Sequence, residues 1–439
     1  MPKGGGSVEG GQLNPRLRLM QDADMKGKVV LVRVDHNVVK KGGIKDYYRI
    51  DVTFGTLYGI VEKGGRPIVM THVGRPRDKN TAKIRFDEDT SVTPVVEYLQ
   101  DVLSINIHIP KFSTDPDYGI LHLEGSIYEA IDQLKTGKIN MIYLPNTRWF
   151  RGEESNGEER EEFAKELASL ADIYVYDAFG SWRPHVSTYD IARLLPSYAG
   201  LLVQKELQNL HRLFQPDRPF LAVVAGAKYD TKLGPLKVLH EKVDHLILGG
   251  ILYNAYLSAK YDIEIQGVDR EQKELARSLV ELDQKNGKII EPQYLVESET
   301  LSPREEGRYK TVSLEELKAK GKCGYIVDID PKSIESEELR EVVGSAKTIF
   351  VNAVMGLLPQ FPEGSRAFYE LIDSSAKAKL SFAGGDTLQA LKELAPGVYL
   401  HGFYSPDIYF FTGGGSVLAA IEMGDPYQMK PIQVLMEEG

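Results

Sequence analysis

The chain has 439 residues, 42% of them hydrophobic and 26% charged, with 53 Lys and Arg against 63 Asp and Glu for a net charge of −10. Such a length exceeds what one core of roughly 100–200 residues organises, so two lobes are expected, and the apolar content excludes a disordered chain. The acidic total argues against broad nucleic-acid binding, and the lone Cys323 allows no intrachain disulfide and has no metal-ligand spacing around it, which points to a cytoplasmic protein.

Residues 1–16 begin with a glycine-rich stretch that lacks the apolar segment of a signal peptide, and are expected to form a flexible leader. Residues 28–34 (KVVLVRV) form a β-branched run that suits a buried strand. It is followed by a polar break at Asp35-His36-Asn37, a turn at Gly42-Gly43 and helical spacing over 50–62. A second strand at 67–71 runs into His72-Val73-Gly74-Arg75-Pro76. Further strands are expected at 105–109, 141–144, 173–175, 220–224, 245–248, 325–329, 348–351, 379–382 and 408–411. Helices are expected between them, notably over 158–170, 234–242 and 387–394. The acidic segment 153–166 is read as a solvated helix face without a function.

This alternation predicts an α/β protein built of two doubly wound parallel-sheet, Rossmann-like domains joined by a hinge. Pro196 and Gly200 set the boundary near residue 200, giving domains at 17–200 and 201–420, with 421–439 returning to the first. The longest apolar stretches, such as 246–257, fall short of the ~20 residues a membrane span needs.

In open α/β sheets ligands sit beyond the carboxyl ends of the strands, so the residues that follow the strands carry the chemistry. In the first lobe these are Asp35, Asn37, His72, Arg75, Arg148, Asp177, Arg183 and His185, with Arg49 opening the first helix. Taken singly, each arginine reads as a surface ion pair and His72 as a core histidine. Together they suit a small ligand with an anionic group at each end. In the second lobe the strand-following segments are glycine-rich: Ala225-Gly226-Ala227-Lys228, Gly249-Gly250, Gly384-Gly385-Asp386-Thr387 and Gly413-Gly414-Gly415-Ser416. Each alone reads as a tight turn, but four after strands of one lobe suit backbone cradling of phosphates. Neither G-x-x-x-x-G-K-[ST] nor G-x-G-x-x-G occurs. Lys228 and Lys232, four apart, are expected on one helix face near those phosphates. Asp386 reads as a helix N-cap or, beside a phosphate loop, as a Mg²⁺ ligand.

Eight segments in order, VRVDHNV (32–38), YRI (48–50), THVGRP (71–76), NTRWFRGEE (146–154), YDAFGSWRPHVST (176–188), AGAKYDTKLG (225–234), AGGDT (383–387) and TGGGS (412–416), make the chain resemble the phosphoglycerate kinase family from about Leu17 to Leu435. The resemblance implies phosphoryl transfer between 1,3-bisphosphoglycerate and ADP, giving 3-phosphoglycerate and ATP, with Mg²⁺ and hinge closure, in a cytoplasmic monomer without nucleic-acid or membrane partners. It implies a catalytic set of Arg49, Lys228, Lys232, Gly385 and Gly415, and substrate binding by Asp35, Asn37, Arg49, His72, Arg75, Arg148 and Arg183. The nucleotide would meet Gly226, Ala227, Lys228, Lys232, Gly249, Gly250, Asn352, Gly356, Gly384, Gly385, Asp386 and Thr387, with Asp386 on the metal.

The chain also departs from the family pattern. His36 stands where phenylalanine is usual, and the 181–185 loop is one residue short. Ala225, Ile251, Asp330 and Phe411 replace small residues, Asn352-Ala353-Val354 replaces N-G-P, and Pro359 falls where an acidic ribose contact is usual. Most of these changes fall in the nucleoside half. The alternatives they keep open are a phosphotransferase with an altered nucleotide or acceptor, and a non-catalytic homologue.

Overall fold

The structure, a computed structural model, describes residues 11–123, 125–226, 232–375 and 377–437. Ala227 and Lys228, both expected at the nucleotide, lie outside the described residues, as does the start of the expected leader. The chain divides into two compact units: Gln12–Gln208 with residues 425–437, and Asn209–Gly424 with Gly11. The division falls inside the helix Leu201–Phe214.

In the first unit, six parallel strands lie in the order Ile107–His108, Met141–Tyr143, Arg66–Met70, Val29–Val34, Ile173–Asp177, Ser197–Ala199. The central strand Val29–Val34 is buried along its whole length, which is why it reads as a continuous β-branched run rather than an alternating one. Helices cover the sheet with apolar stripes: Thr93–Leu103 buries Val95, Val96 and Leu99, and Ser126–Lys135 buries Ile127, Ala130, Ile131 and Leu134. Each of these larger aliphatic side chains contributes about 1.5–3 kcal/mol on burial. The helical stretch expected over 50–62 is two helices, Tyr48–Asp51 and Phe54–Glu62. The C-terminal segment packs on this unit: Leu17 bridges Met436, and Arg18 donates to the carbonyls of Leu435 and Val434. Asn14 and Arg16, within the expected leader, are bonded to Tyr427 and to the Glu437 carbonyl.

The second unit repeats the design in the order Ile289–Ile290, His245–Gly249, Phe220–Ala225, Thr348–Asn352, Lys379–Ala383, Ile408–Phe411, again all parallel. The strand Tyr325–Ile329 is not part of it. It pairs antiparallel with Tyr294–Ser298, which pairs antiparallel with Tyr309–Ser313, in a separate three-stranded sheet. A short apolar run does not report its pairing direction, and only the partly exposed faces of its two neighbours distinguish the arrangement. The edge strands Ser197–Ala199 and Ile289–Ile290 are too short to show a period.

The acidic segment 153–166 is not uniformly solvated. Its helix begins at Glu158, and Glu153 before it is 1% exposed. Among the described residues no helix is long and apolar enough to cross a membrane.

Candidate functional site

Each sheet has one point where successive strands diverge to opposite sides, and in open α/β sheets ligands bind beyond the carboxyl ends of the strands at such a point. In the first unit it lies between Val29–Val34 and Ile173–Asp177, and in the second between Phe220–Ala225 and Thr348–Asn352. Several of the described residues expected to act follow the strands at these two points.

At the first, Asp35 follows the central strand and pairs with Arg49 of the short helix Tyr48–Asp51, whose Nη1 also donates to the Asn37 carbonyl at 3.2 Å. Gly180 comes so close that a side chain there would overlap the Asp35 carboxylate. The Asn37 side chain accepts from the Gly74 amide at 2.8 Å, and Arg148 Nη1 donates to the Gly74 carbonyl at 2.6 Å. Arg148 Nε lies 3.2 Å from Glu154 Oε1, close enough for an ion pair but not aligned as a hydrogen bond. Buried Asn146 holds the loop from below, accepting from Val73 and donating to the Val73 and Thr90 carbonyls. Arg75 and Arg183 are exposed, and neither makes an ion pair among the described residues. Arg75 acts electrostatically on Arg148, and Arg183 on His185, so positive charge is concentrated here in an acidic protein.

His72 is held by a partner that sequence reasoning missed. Arg33, inside the central strand and 1% exposed, donates from Nη2 to His72 Nδ1 at 2.9 Å and from Nε to Ser187 Oγ at 2.8 Å. Because a guanidinium only donates, Nδ1 must accept, and the neutral ring carries its proton on Nε2. Burial foremost, then the cations of Arg148, Arg33 and Arg49, keep His72 well below the usual histidine range, so the ring is neutral. Buried Glu153 balances Arg33 and accepts from the Ser187 amide at 2.9 Å and hydroxyl at 2.5 Å. Burial raises its carboxyl, while Arg33 and the Ser187 bonds oppose that rise. The available signal was an arginine within a β-branched run: a buried charge needs a partner of opposite sign.

At the second point, Lys232 immediately precedes the helix Leu233–Lys242 rather than lying on its face. Its ammonium donates to the Ala225 carbonyl at 2.6 Å and to Asn352 Oδ1 at 3.1 Å, bridging the two diverging strands. Burial pushes this lysine down to about 8, with Asp386 pulling the other way. Asn352 in turn donates to the Ala383 carbonyl at 2.6 Å. Two helices start beside it, Gly385–Leu394 and Gly414–Met423. A side chain at Gly414 would overlap the Asn352 amide, and one at Gly226 would sit 2.8 Å from the Lys232 ammonium and displace it. Gly385 faces open space, and Gly415 is exposed on the first turn of its helix. First-turn amides have no intrahelical partner, and with the helix dipole they favour phosphate oxygens. Gly249 and Gly250 lie against Ala225 and Gly226, with Gly249 also near Met355, while Gly356 lies against Asp328 and Phe361.

Asp386 is not the N-cap. Gly384 occupies that position with φ +100°, and Asp386 lies exposed in the first turn, where Thr387 is buried. Among the described residues no group of three His, Cys, Asp or Glu could cage a metal. A single exposed carboxylate at a phosphate-type helix start fits Mg²⁺, which commonly takes one or two carboxylates and completes its shell with nucleotide oxygens and water.

Several departures from the family pattern are absorbed by packing. Asp330 caps the helix Pro331–Ile334 through the Lys332 amide at 2.9 Å and accepts from the Thr311 hydroxyl. Phe411 is fully buried against Tyr409, and Ala225 is 4% exposed.

Comparison with known proteins gives one family. The family described as "Phosphoglycerate kinase" matches residues 20–423. A protein named "Phosphoglycerate kinase" from Dictyoglomus turgidum is 34% identical over 409 residues, covering 92% of this chain and 95% of its own. Another of that name, from Pseudothermotoga lettingae, is 32% identical over 416 residues, covering 92% and 96%. Among solved structures, phosphoglycerate kinase from Coxiella burnetii superposes with a TM-score of 0.69 at 24% identity, covering 95% of this chain and 98% of its own. The enzyme from Pyrococcus horikoshii OT3 does so with a TM-score of 0.72 at 21% identity, covering 95% and 99%. At those identities the superpositions speak for the fold alone.

Proposed function

The chain belongs to the phosphoglycerate kinase family, and from that premise we propose how its own residues divide the work of phosphoryl transfer. The reaction moves a phosphoryl group between 1,3-bisphosphoglycerate with ADP and 3-phosphoglycerate with ATP, a step of glycolysis. Written toward the acyl phosphate, a carboxylate oxygen of 3-phosphoglycerate attacks the γ-phosphorus of ATP, the bond from phosphorus to the β–γ bridging oxygen breaks, and ADP leaves.

His72, Arg75, Arg148 and Arg183 hold the phosphate of 3-phosphoglycerate, and Asp35 with Asn37 orients its hydroxyl end. Support comes from the two unpaired guanidinium groups and from the ring proton that Arg33 holds on His72 Nε2, which is a donor for a phosphate oxygen. Arg49 faces the transferring group from this side. On the other, Lys232 and the amides at Gly385 and Gly415 take the nucleotide phosphates, and Lys228, Gly226, Ala227, Gly249, Gly250, Gly384 and Thr387 complete the cradle. Such transfer asks for alignment and charge balance rather than a protein nucleophile. Mg²⁺, held by Asp386, supplies positive charge on the nucleotide oxygens when bound. Keeping bulk water from the acyl phosphate protects it from hydrolysis. The enzyme acts as a cytoplasmic monomer on small soluble substrates.

The observation that carries this division is Lys232: a partly buried ammonium at the point of strand divergence that donates to Ala225 and Asn352 and has no third partner among the described residues. An altered nucleotide, an altered acceptor or a non-catalytic role is not favoured, because the nucleoside-side changes at Ala225, Asp330 and Phe411 are accommodated by packing and capping. The test is initial-rate transfer by Arg49→Ala and Lys232→Met. Each is expected to lose turnover by at least ~100-fold while keeping its fold, as loss of a charged group acting on the transition state does. Near-normal turnover in either contradicts the role given to that residue.

A further inference from the structure

His36, the residue that breaks the family's usual pattern, sits between Asp35 and Asn37, both of which bond Arg49. Neighbours in an extended segment point to opposite sides, and His36 accordingly turns into the core, where it is fully buried. Its Nδ1 lies 2.9 Å from the Tyr143 hydroxyl and its Nε2 3.1 Å from Thr53 Oγ1. Thr53 spends its one hydroxyl proton on the Ile50 carbonyl at 2.7 Å. At the histidine contact Thr53 must therefore accept, so Nε2 donates and Nδ1 takes the Tyr143 proton. The chain of donors is thereby ordered from end to end: Tyr143 to His36, His36 to Thr53, Thr53 to Ile50.

Ile50 directly follows Arg49, and Thr53 stands four residues past it. The helix that carries Arg49 and Ile50, Tyr48–Asp51, has four residues, far too few to hold its own shape, and Thr53 lies beyond its end as the residue that starts Phe54–Glu62. The His36 amide also donates to Thr71 Oγ1 at 2.9 Å, tying the same residue to the segment that leads into His72. One imidazole and its amide thus join the ends of three strands to the Arg49 helix, while the flanking Asp35 and Asn37 hold the guanidinium itself.

We propose that His36 is a positioning residue for Arg49: its Nε2–H bond to Thr53 fixes the short helix so that the guanidinium keeps one orientation toward the transferring phosphoryl group. The inference rests on the role given above to Arg49. A phenylalanine, as usual in the family, fills the core but makes neither bond, so this chain secures by hydrogen bonding what an aromatic ring would secure by packing.

The test compares variants that keep or lose the single donor. His36→Gln retains an N–H near the Nε2 position, His36→Asn offers only a group near Nδ1, and Thr53→Val removes the acceptor at nearly constant shape. Loss of one hydrogen bond to a buried group corresponds to about tenfold. His36→Asn and Thr53→Val are each expected to lower kcat about tenfold with the nucleotide KM within twofold, and His36→Gln to recover most of that loss. Combining His36→Asn with Thr53→Val should cost no more than the worse single change, and in an Arg49→Ala background His36→Asn should cost nothing further. Equal losses in Gln and Asn variants, a kcat within twofold of the parent in Thr53→Val, or an undiminished effect without Arg49 overturns the proposal. Thr53→Val serves if His36→Asn does not fold, which melting curves establish. If Arg49→Ala alone keeps the parental kcat, the role of Arg49 fails and this inference falls with it.

Discussion

Replacing Lys232 with methionine removes the ammonium that bridges Ala225 and Asn352, and the consequence can be worked from its environment. Burial holds this lysine at about 8 against 10.5 for a free side chain, so keeping it charged at neutral pH costs the ligand-free protein about 3 kcal/mol at 1.36 kcal/mol per pH unit. The folded state gives up this proton before the unfolded state does. Lys232's contribution to stability is therefore complete above pH 10.5 and is lost as pH falls through 8. Phosphate oxygens at the third donor reverse the penalty and draw the proton back. Nucleotide binding should then take up about 0.1 proton at pH 7, about 0.5 at pH 8 and about 0.9 at pH 9. Titration calorimetry with ADP in two buffers of different ionisation enthalpy reads these values directly. Lys232→Met should abolish the pH-dependent uptake, weaken ADP binding and melt higher than the parent at pH 7. Uptake that does not change between pH 7 and 9, or that persists in Lys232→Met, refutes the reasoning.

Arg33→Lys keeps a charge beside Glu153 but cannot serve Ser187 and His72 together, so the KM for 3-phosphoglycerate should rise by roughly tenfold while the nucleotide KM stays put; equal changes in both would contradict the role given to Arg33. Asp177 is buried, caps the Leu202 and Val203 amides, and is pushed up to about 7 by burial, with the Thr56 and backbone bonds opposing. Its folded value lies above its unfolded one, so the stability it contributes is complete below pH 3.8 and is lost as pH rises through 7. Denaturation midpoints should fall between pH 5 and 8 in the parent and less so in Asp177→Asn. Gly414→Ala should destabilise the second unit by about 1–3 kcal/mol through overlap with the Asn352 amide, read as a lower midpoint together with weaker ADP binding.

Much of the scaffold was legible because its strands are buried on both faces and announce themselves as apolar runs, as at Val29–Val34 and Phe220–Ala225. The antiparallel pairing of Tyr325–Ile329 was not, because a five-residue run that is apolar but for Asp328 carries no direction. The strand-end polar residues of the first unit could be gathered from position alone, since Asp35, His72 and Arg148 all follow the carboxyl ends of strands, whereas Asn352 came only with the family resemblance. What escaped was the layer behind them. Arg33 looked like an ordinary member of a strand and Glu153 like one more surface acid, and only three-dimensional proximity to Ser187 and His72 gives them their task. Lys232 and Asp386 were found as chemistry but misplaced by local rules. The first precedes its helix, and the second sits past the glycine cap, because a φ of +100° at Gly384 sets the entry to that helix.

The measurement that bears most directly on the whole account is the initial rate of ADP formation from ATP and 3-phosphoglycerate with Mg²⁺, with the acyl phosphate removed by a coupling enzyme. Turnover that requires 3-phosphoglycerate and stops on chelation of Mg²⁺ is the predicted result. Folded protein that binds both substrates and transfers nothing would contradict it.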